Sequence, residues 1–179
     1  MKKNVAILFV IALTLLISAC GFQLQGKTRL AEPLHRMYIQ SVDPYGHLIR
    51  YLEQYLRMSD VTLVRTPMEA STVFVIMKDE EAQDLISVSS TQQTRQYNLK
   101  VTVIFEITDN GGRLLAPPQT LAESRVITVQ SSQILGSDNQ TNMIYQQMRR
   151  MIAYSIMNRL ASNIITKAIQ KNYPDPYHR

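Results

Sequence analysis

The stretch YNLKVTVIFEI, residues 97–107, decides the fold because its apolar and polar side chains alternate along the chain. Side chains of a β-strand point to opposite faces with a period of two. Tyr97 and every second residue through Ile107 are therefore expected on one apolar face. Asn98 and Lys100 are expected on a polar face, where Ile104 is the exception. The alternation predicts an antiparallel strand with one face against a core and the other toward water.

Further strands are predicted on both sides of this one. Apolar or alternating runs cover residues 36–42, 61–65, 72–78, 85–89 and 120–130, with a charged interruption at 79–84. Residues 89–93 and 109–112 are predicted to be hairpin turns, the second because Asn110-Gly111-Gly112 tolerates positive φ. Pro117-Pro118 is expected to break the chain before the last strand, because proline donates no backbone hydrogen bond.

Two stretches repeat apolar residues every four positions, which is typical of an amphipathic helix. The first is 47–58, where Leu48, Leu52 and Leu56 share one side. The second follows a loop at 131–137, and the side chain of Asp138 or Asn139 is expected to cap it. Its predicted buried stripe consists of Ile144, Met148, Ile152, Ile156, Leu160, Ile164 and Ala168, widened by Met151 and Ile165.

The element order β-α-β-β-β-β-α predicts one α+β domain spanning residues 34–170. We expect a sheet of about four strands with two helices packed on one face. Residues 171–179 contain Pro174 and Pro176 and are expected to form a flexible tail.

The first twenty residues have the organisation of a bacterial lipoprotein signal. Lys2 and Lys3 precede an apolar run at 5–17, which at about 1.5 Å per residue is too short to span the ~30 Å hydrocarbon core of a bilayer. Ser18 and Ala19 then precede Cys20, the one cysteine of the chain. We predict a signal peptide at 1–19, lipidation of Cys20 and an acylated tether at 20–33. The alternative is an ordinary secretory signal with a chance cysteine.

Composition and motifs argue against several classes of function. The net charge is +5, and no run of Lys or Arg exceeds two residues, so a nucleic-acid partner is not expected. The three histidines, His35, His47 and His178, have no metal-ligand spacing, and no phosphate- or dinucleotide-binding glycine motif is present. A hydrolase stays as a hypothesis on five serines that lack a histidine placed to activate them: Ser87, Ser89, Ser90, Ser131 and Ser132. We therefore predict no enzyme, no metal and no cofactor.

Three segments together resemble a known family. They are Cys20-Gly21-Phe22-Gln23-Leu24-Gln25-Gly26, then Gln93-Thr94-Arg95-Gln96-Tyr97, and finally Asp138-Asn139 before the long helix. In this order they are similar to the LptE family of LPS-assembly lipoproteins, partners of the outer-membrane barrel LptD. Gln25 stands where the family usually has arginine. The lipobox pattern, with Gly21 rather than aspartate after the cysteine, implies the outer membrane.

The resemblance implies a protein that is not an enzyme. Members of the family plug the lumen of the LptD barrel at a one-to-one ratio, help it to assemble, and assist the insertion of lipopolysaccharide into the outer leaflet. The chain is then expected to be lipid-anchored to the outer membrane and to face the periplasm and the barrel lumen. The alternative is a free-standing, periplasm-facing lipoprotein that binds a lipid or a glycan.

The resemblance also implies which residues would bind lipopolysaccharide and which would contact the barrel. The family's basic residues lie near the hairpin tip and near the Asp-Asn loop, where this chain has Ser89-Ser90-Thr91 and Ser137. Arg95 and Lys100 are the remaining candidates for binding a phosphate of lipopolysaccharide. Arg95 suits this role because its guanidinium can pair with a phosphate in a bidentate manner. The residues expected to face the partner are Ser90, Thr91, Gln92, Gln93, Ser137 and Asp138.

Overall fold

Five strands form one mixed sheet in the computed structural model, which describes residues 30–91, 93–130 and 134–173. The strands are β1 (Arg36–Ser41), β2 (Thr62–Leu63), β3 (Thr72–Val88), β4 (Thr94–Asp109) and β5 (Leu114–Gln130). Their order across the sheet is β2-β1-β3-β4-β5. β1 is parallel to β2 and β3, whereas β4 is antiparallel to both of its neighbours.

Several predictions fall on residues outside the described ranges. These are the signal peptide at 1–19, Cys20, most of the tether at 20–33, Gln92 and most of the tail at 171–179. The tether's last residues are described, and Leu30 and Ala31 are buried in the core of the domain.

The sequence was right about the central strand and about the class of fold. Leu99, Val101, Val103, Phe105 and Ile107 are all buried, and Phe105 stacks on Phe74 with ring centroids 4.9 Å apart. These side chains form one core with apolar residues from each of the helices described below. We call this side of the sheet the covered face and the other side the open face. The class is α+β, with a sheet of five strands rather than about four.

β3 continues through the charged residues 79–84, where an interruption was predicted. Its register against β4 shifts at two other places, at Met77 between Ile76 and Lys78 and at Ile86 between Leu85 and Ser87. β3 is buried at Thr72–Phe74 but exposed at every residue from Glu80 to Val88. Charged side chains are accepted there because they remain in water while the backbone keeps its hydrogen bonds to β4.

β5 likewise runs through Pro117-Pro118, where a break was predicted. Phe105 pairs with Gln119 and Ile107 pairs with Ala116, so the two prolines bulge opposite Glu106. Proline is tolerated at a bulge of an edge strand because no neighbouring strand needs its missing N–H group.

Three helices are present among the described residues, where two were predicted: α1 (His47–Met58), α2 (Ile134–Leu160) and α3 (Asn163–Asn172). α1 has the predicted bounds. Short 3-10 turns occupy Glu32–His35 and Pro67–Glu69. The predicted cap at Asp138 or Asn139 is wrong, because α2 already begins at Ile134 and both residues lie inside it. A cap preference is local, and here the start of the helix is fixed upstream of both residues.

The long predicted helix is divided at Ala161-Ser162. The Ser162 hydroxyl accepts a hydrogen bond from the Ile165 amide at 3.4 Å and caps α3. The break shifts the helical phase, so that Ile165 and Ile169 are buried while Ile164 is 71% exposed. The predicted stripe is therefore correct at Leu160 and wrong at Ile164, and Met151 is also exposed.

Candidate functional site

The end of the sheet that extends beyond the core is the candidate interaction surface. We call it the distal sheet and define it as residues 80–88 of β3, the tip at 89–93, residues 94–100 of β4 and residues 124–130 of β5. Leu85, Ile86 and Val126 are each more than half exposed there. Leu85 pairs with Tyr97 on the covered face and Val126 pairs with Asn98 on the open face, so both faces of the distal sheet carry exposed apolar side chains.

Short polar side chains close the tip of the hairpin. The Ser89 amide donates to the Thr94 carbonyl at 2.9 Å, and the Thr94 amide donates to the Ser89 hydroxyl at 3.1 Å. One strand pair further in, the Ser87 hydroxyl donates to Gln96 Oε1 at 2.9 Å. This network gives the tip a defined shape without glycine or proline.

The structure brings together some of the residues expected to face the partner. Ser90, Thr91 and Gln93 are exposed on the tip. Ser137 and Asp138 belong instead to the first turns of α2, and their side chains are outside the described part of the structure.

Arg95 and Lys100 do not form a common site, because they lie on opposite faces of β4. Arg95 pairs with Val88 and Val129 and has the same parity as Leu99 on the covered face. Lys100 pairs with Ala82 and Ser124 on the open face. Their Cα atoms are also separated by about 17 Å of strand at ~3.3 Å per residue. The alternation of the sequence already contained this signal, since the two positions differ by an odd number.

The charge of this hairpin is mixed. Residues 80–100 carry three carboxylates, Glu80, Glu81 and Asp84, and two cations. Neither the Arg95 nor the Lys100 side chain has a hydrogen bond or an ion pair within the described residues. Both are therefore available to an anionic group from outside the domain, but they do not make the surface strongly positive.

A polar cluster that the sequence did not predict attaches α2 to β3. The Arg149 guanidinium donates to the Asp79 carboxylate at 2.9 and 3.1 Å and also to Glu81. Burial alone would lower the pKa of Arg149, but the hydrogen bonds to Asp79 and Glu81 outweigh it and raise the pKa above its usual value. The sequence predicts an interruption of the strand at residues 79–84 and no contact between these residues and the helix. The available signal was that Asp79 and Glu81 are two residues apart and so share one face.

Tyr145 makes a second attachment one turn earlier in α2. Its hydroxyl donates to the Ala82 carbonyl at 3.0 Å. Burial raises the pKa of Tyr145, the negative charge of Glu81 adds to the rise, and Arg149 offsets part of it.

A groove lies between the distal part of β5 and the start of α2. Its volume is about 240 Å³, and it is lined by Ile127, Thr128, Val129, Gln140, Thr141 and Ile144. The lining residues that the structure describes supply apolar, hydroxyl and amide groups. These groups can accept an apolar ligand group together with a few polar contacts.

The described residues contain no cluster of three or more His, Cys, Asp or Glu side chains that could hold a metal ion. Within the same ranges, none of the helices has the length and apolar character that crossing a membrane requires. Ser87 and Ser89 have Gln96, Thr91 and Thr94 as hydrogen-bond partners rather than a histidine.

Comparison with known proteins places this domain among lipoproteins of one family. The family model described as LptE, lipopolysaccharide-assembly, matches residues 34–160. A protein of Yersinia enterocolitica named LPS-assembly lipoprotein LptE is 27% identical over 161 residues, which are 89% of this chain and 77% of that protein. A protein of Pectobacterium atrosepticum with the same name is 27% identical over 153 residues, which are 84% of this chain and 82% of that protein.

Solved structures support the fold. The solution structure of lipoprotein B from Nitrosomonas europaea matches with a TM-score of 0.65 at 19% identity, covering 84% of this chain and 96% of that one. A minor lipoprotein from Acinetobacter baumannii matches with a TM-score of 0.61 at 18% identity, covering 73% and 92% of the two chains.

Proposed function

The chain belongs to the LptE family of lipopolysaccharide-assembly proteins, and we propose that it is a lipoprotein subunit of an outer-membrane lipopolysaccharide translocon. In this proposal it occupies the lumen of an LptD-like barrel at a one-to-one ratio and helps that barrel to assemble. It binds and braces, and it catalyses no reaction. The observation that carries the proposal is the family match over residues 34–160, which covers the sheet and α1 and ends with α2.

The character of the surface supports a role as a plug. The lumen of a large transmembrane barrel is polar, so a protein inside it needs a polar exterior around an apolar core of its own. This domain has a continuous apolar core, and its open face carries residues such as Asn98, Lys100 and Thr102. The distal sheet, with its exposed tip, is the part that we assign to contact with the barrel and with lipopolysaccharide.

Anchoring at Cys20 belongs to the same proposal. Each buried methylene of an acyl chain contributes about 0.8 kcal/mol, so that several chains hold a protein durably on a bilayer. We assign the anchor to the inner leaflet of the outer membrane, with the domain on the periplasmic side. Leu30 and Ala31 are packed into the core, so the described domain begins close behind the proposed anchor.

Gentle detergent extraction followed by affinity capture of the full chain tests the partnership. We expect an outer-membrane barrel to co-purify at a one-to-one ratio. Recovery of the chain alone, under conditions in which other barrel complexes survive, would contradict the proposal.

The groove beside β5 favours one alternative function. A mixed apolar and polar groove of about 240 Å³ suits a free-standing lipoprotein that binds a lipid or a glycan. That alternative predicts that the unlipidated domain binds its ligand at full affinity without a barrel. Binding that requires the barrel would exclude it.

The assignment of Arg95 to lipopolysaccharide makes a direct prediction. Reversing its charge in Arg95→Glu should weaken lipopolysaccharide binding several-fold and leave the thermal melting temperature unchanged, because the side chain is exposed and has no partner in the described part of the chain. Co-precipitation with purified lipopolysaccharide measures the effect.

Two further charge reversals show which face of the sheet binds lipopolysaccharide and whether the effect depends on the position of the charge. Lys100→Glu reverses a charge on the open face, and Lys167→Glu makes the same change on α3, outside the distal sheet. If lipopolysaccharide binding decreases with Arg95→Glu alone, the binding site lies on the covered face near the tip. If it decreases with Lys100→Glu alone, the site lies on the open face. An equal loss in all three variants would indicate a general charge effect and remove the assignment.

A further inference from the structure

Within the described residues, the outer edge of β5 pairs with no other strand. β5 is the last strand of the sheet and pairs with β4 alone. Residues 119–130 continue beyond the proline bulge without interruption, and they contain no lysine, proline or glycine. Exposed edges of this length usually carry such residues, because an unprotected edge pairs with other strands.

We propose that two copies of the unassembled chain pair through this edge, antiparallel, with Ser124 on the two-fold axis. The two sheets then form one continuous sheet with both covered faces on the same side. This pairing is a property of the free chain and does not depend on the proposed barrel partner.

The charges on β5 select this register. A two-fold axis perpendicular to the sheet pairs residues of equal parity, since opposite side chains in an antiparallel pair lie on the same face. An axis at Ser124 places Glu123 of each copy opposite Arg125 of the other, which makes two ion pairs on the covered face. An axis at residue 123 would place Glu123 against itself, and an axis at residue 125 would do the same to Arg125. Both shifts are disfavoured by like charges.

The apolar side chains agree with the same register. Leu121 of one copy faces Ile127 of the other, and both are partly buried on the covered face. Ile127 lines the groove between β5 and α2, so the second copy's Leu121 would come to lie against the open side of that groove. On the open face the exposed Val126 is placed opposite Ala122, which covers apolar surface that is otherwise in water.

Arg125 is positioned for the proposed pair. Its guanidinium donates to Gln147 of α2 at 3.3 Å, which keeps it on the covered face. Within the described residues it has no carboxylate partner, so Glu123 of a second copy would supply the opposite charge.

Cysteine crosslinking of the full chain, purified in mild detergent without a barrel, tests the register. Ser124→Cys should form a disulfide-linked dimer under mild oxidation, because the two positions meet at the axis. Thr120→Cys is the matched control: it pairs with residue 128, so its symmetry mate is about 26 Å away along the strand at ~3.3 Å per residue. The unsubstituted chain controls for Cys20. Equal crosslinking at 120 and 124, or none at 124, would overturn the proposal.

A charge exchange tests the ion pairs independently. Glu123→Arg and Arg125→Glu should each weaken dimerisation about tenfold in sedimentation equilibrium, because each places like charges opposite one another twice. The double variant E123R/R125E should restore dimerisation, while its circular dichroism confirms folding. A wild-type chain that stays monomeric at micromolar concentration, or a double variant that is weaker than both singles, would refute the pairing. If the free chain is monomeric and the β5 amides are protected from hydrogen exchange only in the barrel complex, the edge pairs with the barrel. That result would overturn the proposed pairing of two copies.

Discussion

Arg149 is the side chain that joins α2 to the part of β3 beyond the core. Its planar fork binds the carboxylates of Asp79 and Glu81, and Arg149 and Asp79 are mostly shielded from water, with exposed fractions of 15% and 13%. Replacing Arg149 would leave the two acids facing each other on one strand without a counter-charge.

We therefore expect Arg149→Ala to lower the free energy of unfolding by about 2 kcal/mol, less than for a fully buried pair because Glu81 is more exposed. Arg149→Lys should lower the free energy of unfolding by a smaller amount, since an ammonium group cannot bind both carboxylates as the planar guanidinium does. Arg150→Ala is the matched control, because Arg150 is exposed and its side chain hydrogen-bonds to the Tyr55 hydroxyl rather than to a carboxylate. Urea unfolding measures all three, and equal losses for Arg149→Ala and Arg150→Ala would contradict this role.

Tyr145 gives the molecule a dependence on alkaline pH. Because burial raises its pKa in the folded state, the stabilisation from the neutral phenol is present below the unfolded pKa of about 10. It is lost as the pH rises toward the higher folded pKa, since the unfolded chain releases its proton first.

Tyr145→Phe removes both this titration and the hydrogen bond to the Ala82 carbonyl. At neutral pH the variant should be about 1 kcal/mol less stable than the wild type. This difference should narrow above pH 10, and urea unfolding on both sides of that pH measures it. A difference that stays constant would show that Tyr145 titrates as it does in the unfolded chain.

At the scale of elements, the boundary between α2 and α3 decides which face of the second helix is buried. A repeat of four residues predicts Leu160 and Ile164 on the same stripe, but the break at Ala161-Ser162 rotates them apart. Leu160 is fully buried, whereas Ile164 lies in the exposed first turn of α3. No glycine or proline marks this boundary in the sequence, and the hydrogen bond from the Ile165 amide to the Ser162 hydroxyl identifies Ser162 as the cap of α3.

Two aspartate substitutions test the boundary. Leu160→Asp should cost more than about 4 kcal/mol and unfold the domain, because it buries an unpaired charge. Ile164→Asp should be tolerated, since Ile164 is exposed and an acidic residue in the first turn of a helix is weakly stabilising. Circular dichroism with thermal melting distinguishes the two variants. An unfolded Ile164→Asp protein would mean that the helix is continuous, and a folded Leu160→Asp protein would mean that Leu160 does not lie in the core.

The alternation of side chains predicts strands well over the core and less well at the exposed ends of the sheet. In β4 the alternation predicted each buried residue from Leu99 to Ile107 because the whole stretch lies over the core. In β3 the same reasoning interrupted the strand at the charged residues 79–84, and in β5 it started the strand too late, after Pro117-Pro118. These segments are exposed or at an edge, so pairing with β4 maintains them where local composition does not.

At the scale of the whole molecule, the domain and its anchor are expected to be separable. Cys20 lies outside the described residues, and the core contains side chains from Leu30 onward.

We expect Cys20→Ala to melt at the same temperature as the unlipidated wild-type domain and, in cells that lack the barrel partner, to be lost from the outer-membrane fraction. The acyl chains supply the attachment in our proposal, so their removal should release the protein. Sucrose-gradient fractionation measures the distribution. A variant that remains with the outer membrane in cells lacking the barrel partner would refute the anchor at Cys20.

The sequence by itself determined the α+β class, the apolar face of β4, the bounds of α1 and the resemblance to the LptE family. Each of these depends on residues close together in the chain, where a period of two or of four fixes which side chains share a face. Only the tertiary structure decided that Arg149 meets Asp79 and Glu81 and that β5 is the last strand of the described sheet. These features join residues some seventy positions apart, or depend on which strand lies beside which, and such pairings follow from the packed sheet rather than from local propensity.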